Sequence, residues 1–127
     1  EVSLGIIPGY GGTQRLSRVA GPGVAREWVL TGDMFTAAQA HAAGVVNRVF
    51  PADELVEGTQ KMAKSILSRG PVALRLALEA IRKGLDMDQR DGEEMETDMF
   101  GVASETADML EGMSAFLEKR RADFKGC

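Results

Sequence analysis

The residues with chemistry within reach are few, and they sit toward the two ends of the chain. Near its start, Pro8, Gly9, Tyr10, Gly11 and Gly12 form a turn-rich loop ahead of a helix expected from about Thr13. Backbone N–H groups left open in such a loop can bind an anion or hold a water. A plain tight turn before a helix would have the same sequence. No Gly-Lys-Ser/Thr follows, so the loop is not a P-loop, and it lacks the dinucleotide-binding spacing. Glu1 lies just ahead of it. A lone glutamate is normally a solvated surface residue, and nothing in its local spacing says otherwise. Near the other end, Phe116 and Lys119 are three residues apart and so share a helix face. An aromatic beside an ammonium could hold the flat base and the phosphates of a nucleotide-like handle. Phe100, Phe116 and Phe124 at helical spacing fit core or interface packing equally.

Other chemistries are poorly supplied. The one histidine, His41, sits among alanines on a short polar helix, and reads as a surface residue. The one cysteine, Cys127, is the last residue, which excludes an internal disulfide and suits a reducing compartment. Neither a Cys/His metal cluster nor a Ser/His/Asp or Cys/His catalytic set can be assembled. The net charge is -4, with 15 basic and 19 acidic residues, which argues against nucleic-acid binding. No apolar run reaches the roughly 20 residues of a membrane span, and no signal-peptide pattern is present. The expected location is the cytoplasm, or the mitochondrial matrix in a eukaryote. The charge is unevenly placed: between Asp86 and Glu111 the only base is Arg90, whereas Lys119, Arg120, Arg121 and Lys125 crowd the end with Asp123. That basic run suits a helix C-terminus, where the macrodipole favours cations; the alternative is a local site for a phosphorylated ligand.

The elements that must position these groups are mostly helices. The 127 residues fit one domain, and 44% apolar residues predict a real core. Helices are expected over about 13–20, stopped by Gly21 and Pro22, and over 24–30, with Trp28 on the apolar side. Thr36 and Gln39 make a capping-box pattern for a short helix over 37–43. Val45–Phe50 is rich in β-branched residues and stops at Pro51, so it reads as a strand. A lone strand needs a partner from elsewhere. Asp53 is a candidate N-cap for a helix to about Ser68, and Pro71 suits the first turn of the next. There Leu74, Ala77, Leu78, Ile81 and Leu85 form an apolar stripe. An acidic helix over 89–102 and a last one over 107–121, capped by Thr106, complete a mainly α chain with one or two short strands. The absence of an initiator methionine or structural preamble before Glu1 suggests a cut inside a longer polypeptide.

The run Glu1–Leu16 (EVSLGIIPGYGGTQRL) resembles the second signature segment of the crotonase, or enoyl-CoA hydratase/isomerase, family. Val29–Asp33 (VLTGD), Ala37–Ala40 (AAQA), Ala43–Pro51 (AGVVNRVFP) and Glu111–Arg120 (EGMSAFLEKR) continue the resemblance across essentially the whole chain. It implies the C-terminal part of the α/β crotonase-like fold, lacking most of the N-terminal spiral domain. Residues 1–50 would end that spiral core, and residues 51–127 would form a helical oligomerisation region of a trimer or a pair of trimers. Hydratases of the family add water across the 2,3 double bond of an enoyl-CoA in fatty-acid oxidation, with two glutamates around one water. Glu1 matches the second glutamate, a general acid/base whose pKa must be drawn toward neutrality, usually by burial. Gly9 matches the glycine whose N–H helps hold the water, and Tyr10 lies near the acyl pocket. Phe100, Phe116 and Lys119 match positions around the CoA moiety, partly across a subunit interface, with Lys119 at a phosphate. No cofactor is implied beyond the coenzyme A of the substrate.

The family's first catalytic glutamate and both oxyanion-hole donors would lie upstream of Glu1. Loss of one such donor costs about 2.7–4 kcal/mol of barrier lowering, and loss of a general acid/base roughly 10²–10⁴ in rate. The isolated chain is therefore expected to be nearly inert without the N-terminal half of the enzyme, and Glu1 to fray. The other readings are a non-catalytic helical oligomerisation module, or part of an isomerase or another acyl-CoA lyase of the same family.

Overall fold

The computed structural model describes every residue from Glu1 to Cys127. The chain folds as two compact units, Glu1–Val56 and Glu57–Cys127. A 3-10 turn, Val2–Leu4, is followed by helices α1 (Gly12–Thr31), α2 (Ala37–Ala42), α3 (Leu55–Leu67), α4 (Pro71–Gly84), α5 (Gln89–Ser104) and α6 (Ala107–Glu118).

In the first unit, α1 is broken where the sequence placed its stop. Gly21 has φ 81° and ψ 160°, outside the helical region, and Pro22 follows it. The proline ring bars the residue before it from the α conformation, and glycine meets that demand with a positive φ at little cost. The second half of α1 carries the buried Ala25, and Trp28 stacks on Phe35 with ring centroids 4.2 Å apart. Trp28, expected in the core, is only half-buried. α1 ends at Gly32, whose φ is 68°. A Cβ there would lie 2.9 Å from Ser3 Oγ and 3.2 Å from Val2 Cγ2, so the glycine lets the 3-10 turn lie against the helix end. That contact seats the segment immediately after Glu1.

α2 has the expected capping box. Thr36 Oγ1 accepts from Gln39 N at 3.2 Å, and Gln39 Oε1 accepts from Thr36 N at 2.9 Å. Its far end corrects the strand expected over Val45–Phe50, because no strand forms there. Gly44 turns left-handed, Val45 N–H bonds to Ala40 C=O (2.8 Å), and Gly44 N–H bonds to His41 C=O (3.0 Å). This is a Schellman closure. Val46 N–H also reaches Ala40 C=O (3.4 Å), and Val46 C=O lies 3.2 Å from the exposed His41 Nδ1. The groups with which the segment would begin a ladder are committed to the end of α2, and the chain supplies no strand beside it.

At the end of the first unit α3 starts at Leu55, not behind Asp53; Asp53 lies in a turn closed by Glu54 N–H to Pro51 C=O at 3.0 Å. Pro71 opens α4 at its first position, where its missing N–H costs nothing. α4 and α5 form an αα-hairpin that closes tightly, since a Cβ on Gly92 would lie 3.6 Å from Gly84 Cα. The apolar stripe expected to face a core on α4 does not. Leu78, Ile81 and Leu85 are 68%, 66% and 67% exposed, and Leu76 is the buried leucine. The only buried apolar residues of the chain are Ala25, Leu76 and Ala115. The core predicted from composition is thus not built from these residues alone, because no second layer covers the stripe.

Thr106 caps α6 by accepting from Met109 N at 3.1 Å. The helix ends at Glu118, earlier than the expected Arg121. Lys119 adopts φ 54° and ψ 36°, with Lys119 N–H bonded to Phe116 C=O (3.3 Å) and Arg120 N–H to Ala115 C=O (3.0 Å). From there the final residues fold back along α6.

Candidate functional site

The candidate residues fall into both units, so each group is described within its own. In the first unit Glu1 is anchored by its backbone, its C=O accepting Leu4 N–H (2.8 Å) and Ile6 N–H (3.3 Å). Its side chain is exposed and makes no capping bond to the 3-10 turn. The burial that a proton-transferring carboxyl needs is not provided by this unit. Gly9 lies in an exposed turn, and its N–H takes no partner in the chain. Tyr10 projects its ring at 92% exposure, while its C=O receives Arg15 Nη2 at 2.8 Å. That bond staples the glycine loop to the first turn of α1. Gly11, at φ 82°, holds a left-handed conformation that would strain any side chain, and a Cβ there would lie 2.8 Å from Arg15 Nη1 and displace that guanidinium. The result is a rigid loop presenting an open N–H, an open ring and, upstream, an open carboxylate.

In the second unit Phe116 lies in the last turn of α6 and Lys119 is its C-cap, both exposed and linked by the Lys119 N–H to Phe116 C=O bond. Within the basic run the cations are sorted. Arg120 binds Glu111 through both terminal nitrogens (2.6 and 2.9 Å) and Glu118 through Nε (2.6 Å). Lys125 pairs with Asp123 at 2.6 Å. Lys119 has no carboxylate partner and remains available to a ligand. The sequence expectation that this run places cations at a helix C-terminus holds for Lys119, which is the terminal residue itself.

Phe100 is not beside Phe116. It lines an open groove of about 840 Å³ between α4 and α5 with Ala77, Ile81, Leu85 and Met99. Phe116 lines a separate groove of about 1120 Å³ against α3 and the returning tail, with Lys61, Lys64, Arg120, Arg121 and Phe124.

Sequence reasoning passed over Asp108 and Glu111, which hold the tail. Asp108 is buried and accepts Lys125 N–H (2.6 Å) and Gly126 N–H (2.9 Å); its own N–H donates to Cys127 C=O (3.1 Å). Glu111 Oε1 accepts Asp123 N–H at 2.8 Å in addition to its bonds to Arg120. Phe124 is thereby laid over Gly70 and Gly112, where added Cβ atoms would lie 3.6 and 3.4 Å from its ring. The available signal was weak: an acid in the first turn of a helix reads as a dipole complement, and a nine-residue separation matches no helical pairing rule.

The Arg120 hydrogen bonds, helped by Asp123 N–H, pull the Glu111 pKa from 4.5 down to about 2. A carboxylate whose pKa is depressed on folding contributes its full stabilisation above the unfolded value, and that contribution fades as pH falls through the folded one. Docking of the tail is therefore expected to weaken between about pH 4.5 and 2. Protection of the Asp123 amide against hydrogen exchange, corrected for intrinsic rate, should fall across that window. Unchanged protection at pH 2 would show that Glu111 does not hold the tail.

No group of three or more His, Cys, Asp or Glu side chains is placed to hold a metal ion, and no helix is long and apolar enough to cross a membrane. The helices and the glycine loop define a helical piece of a larger fold, and comparison with known proteins makes that specific. The chain belongs to the enoyl-CoA hydratase/isomerase family, whose profile it matches over residues 1–127. It is 46% identical over 124 residues to the crotonyl-CoA hydratase of Syntrophomonas wolfei, covering 98% of this chain and 48% of that protein. It is 43% identical over 126 residues to the 2,3-dehydroadipyl-CoA hydratase of Escherichia coli K12, covering 99% of this chain and 49% of that one. The enoyl-CoA hydratase structure from Bacillus anthracis superposes with a TM-score of 0.96 at 44% identity, over 99% of this chain and 49% of that one. The chain therefore spans about half the length of the relatives it matches.

Proposed function

We propose that the chain acts as the C-terminal part of an enoyl-CoA hydratase, completing a water-adding site whose other half lies upstream of Glu1. The observation that carries this reading is its end-to-end similarity to hydratases about twice its length. Glu1 is assigned the second catalytic carboxyl, delivering a proton to the substrate α-carbon as the water oxygen adds to the β-carbon. Its side chain is unengaged in this chain, as a group completed by other residues should be. Gly9 offers its open N–H to the water, and Tyr10 borders the acyl chain. Phe116 and the unpaired Lys119 receive the nucleotide end of coenzyme A, and Phe100, in a separate groove of this chain, joins the enclosure of coenzyme A across a subunit interface. The reaction draws on no cofactor beyond the coenzyme A of the substrate.

Residues 1–50 are assigned to the end of the spiral core and residues 51–127 to the helical region that assembles subunits into a trimer or a pair of trimers. The exposed Leu78, Ile81, Leu85 and Phe100 support an assembly role, since monomers rarely leave such a contiguous apolar face in water. Localisation in the cytoplasm, or in the matrix of an organelle, accords with this reading.

The test is crotonyl-CoA hydration by the purified chain, alone and after joining to the upstream half of a family hydratase. Circular dichroism confirms folding in each case. Turnover is expected only in the joined form. Equal turnover by the folded chain alone would refute a half-site.

A further inference from the structure

We propose that Glu111 is a positioning residue that, through Arg120, holds Lys119 in place to meet a phosphate of the coenzyme A handle; this rests on the role given to Lys119 above. Lys119 is the only non-glycine residue with a positive φ. A left-handed conformation at such a residue is strained and persists only where its surroundings enforce it. Those surroundings are specific. The peptides on both sides of Lys119 are tied together, because Arg120 Nε bonds Glu118 at 2.6 Å. The same guanidinium is anchored two turns back along α6 by its two-pronged bond to Glu111. Glu111 also takes the Asp123 N–H, so the chain leaving Lys119 is fixed at a second point.

The clamp has a further consequence for charge. It engages Arg120 with carboxylates while Lys125 is taken by Asp123, and it leaves the Lys119 ammonium without a carboxylate partner. An unrestrained lysine must lose side-chain and backbone freedom on binding; one whose backbone is already fixed loses less.

A double-mutant cycle on the full 127-residue chain tests this, with adenosine 3′,5′-bisphosphate as the calorimetric probe and pantetheine as its phosphate-free control. Lys119→Ala is expected to weaken bisphosphate binding about 10-fold or more, the range of a hydrogen bond to a charged group. Glu111→Gln and Arg120→Gln should each weaken it about 3- to 10-fold, and neither should add to the loss already caused by Lys119→Ala. Agreement between the two clamp variants excludes an effect of the freed Arg120 itself, and circular dichroism checks that α6 persists in each. Pantetheine binding should not change. Clamp variants that bind as wild type, that weaken binding equally in the Lys119→Ala background, or that weaken pantetheine equally would overturn the positioning role. If Lys119→Ala itself binds as wild type, or the wild-type chain does not bind the bisphosphate, the assignment of Lys119 fails and the positioning role falls with it.

Discussion

Replacing Glu1 by Gln in a polypeptide that carries both halves of the site is expected to lower kcat for crotonyl-CoA hydration by about 10²–10⁴-fold. Glutamine keeps the shape and the polarity of the carboxamide end but cannot hold the proton that must reach the α-carbon. The loss should fall on kcat with little change in KM, because the proposed role of Glu1 is at the reacting atoms and that of gripping coenzyme A falls to other residues. The side chain is exposed in this chain. Its activation must come from burial by upstream residues, so the pH–rate profile of the joined enzyme should show an alkaline limb, where the proton donor is lost, that Glu1→Gln removes. A joined Glu1→Gln enzyme with full turnover would sink the role assigned to this carboxyl.

The second large effect concerns stability. Asp108→Ala removes the acceptor of the Lys125 and Gly126 N–H groups at a site only 6% exposed. Hydrogen bonds to a charged acceptor contribute about 1.5–3 kcal/mol each, and donors left without an acceptor add a desolvation penalty. Release of the tail to water relieves part of that penalty, so a loss of roughly 2–4 kcal/mol from the second unit is expected. Phe124 should lift from Gly70 and Gly112 at the same time. Urea denaturation measures the first effect, and amide exchange at Lys125 and Gly126 the second. Asp108→Asn, which keeps one carbonyl acceptor, should fall between. An Asp108→Ala chain with wild-type stability and protected tail amides would show that the tail is held by other contacts.

Much of the local structure was legible because its causes are local. The capping box of Thr36 and Gln39, the stop at Gly21 and Pro22, Pro71 at the start of α4 and Thr106 at the start of α6 all act within a few residues. Each turns on a hydrogen bond or a steric clash that residue type and spacing specify. Family membership was legible for a different reason, the ordered segments spread along the whole chain, and those segments also carry the candidates Glu1, Gly9, Tyr10, Phe116 and Lys119, while Phe100 lies outside them. The errors arose where a residue's partner lies far away or outside the chain. Val45–Phe50 has strand propensity, but propensity does not make a ladder without a neighbour, and α2 closed onto its first amides instead.

The sequence by itself determined the helices, most of their ends and the family, because caps, breakers and a contiguous motif are written in neighbouring residues. Only the tertiary structure decided which of those residues face anything. It left Leu78, Ile81 and Leu85 uncovered and buried Leu76 instead. It stopped α6 at Glu118 and fastened the tail through Asp108 and Glu111. Burial and long-range pairing depend on what comes to lie alongside: the returning tail supplies partners for Asp108 and Glu111, and no layer of this chain covers the α4 stripe.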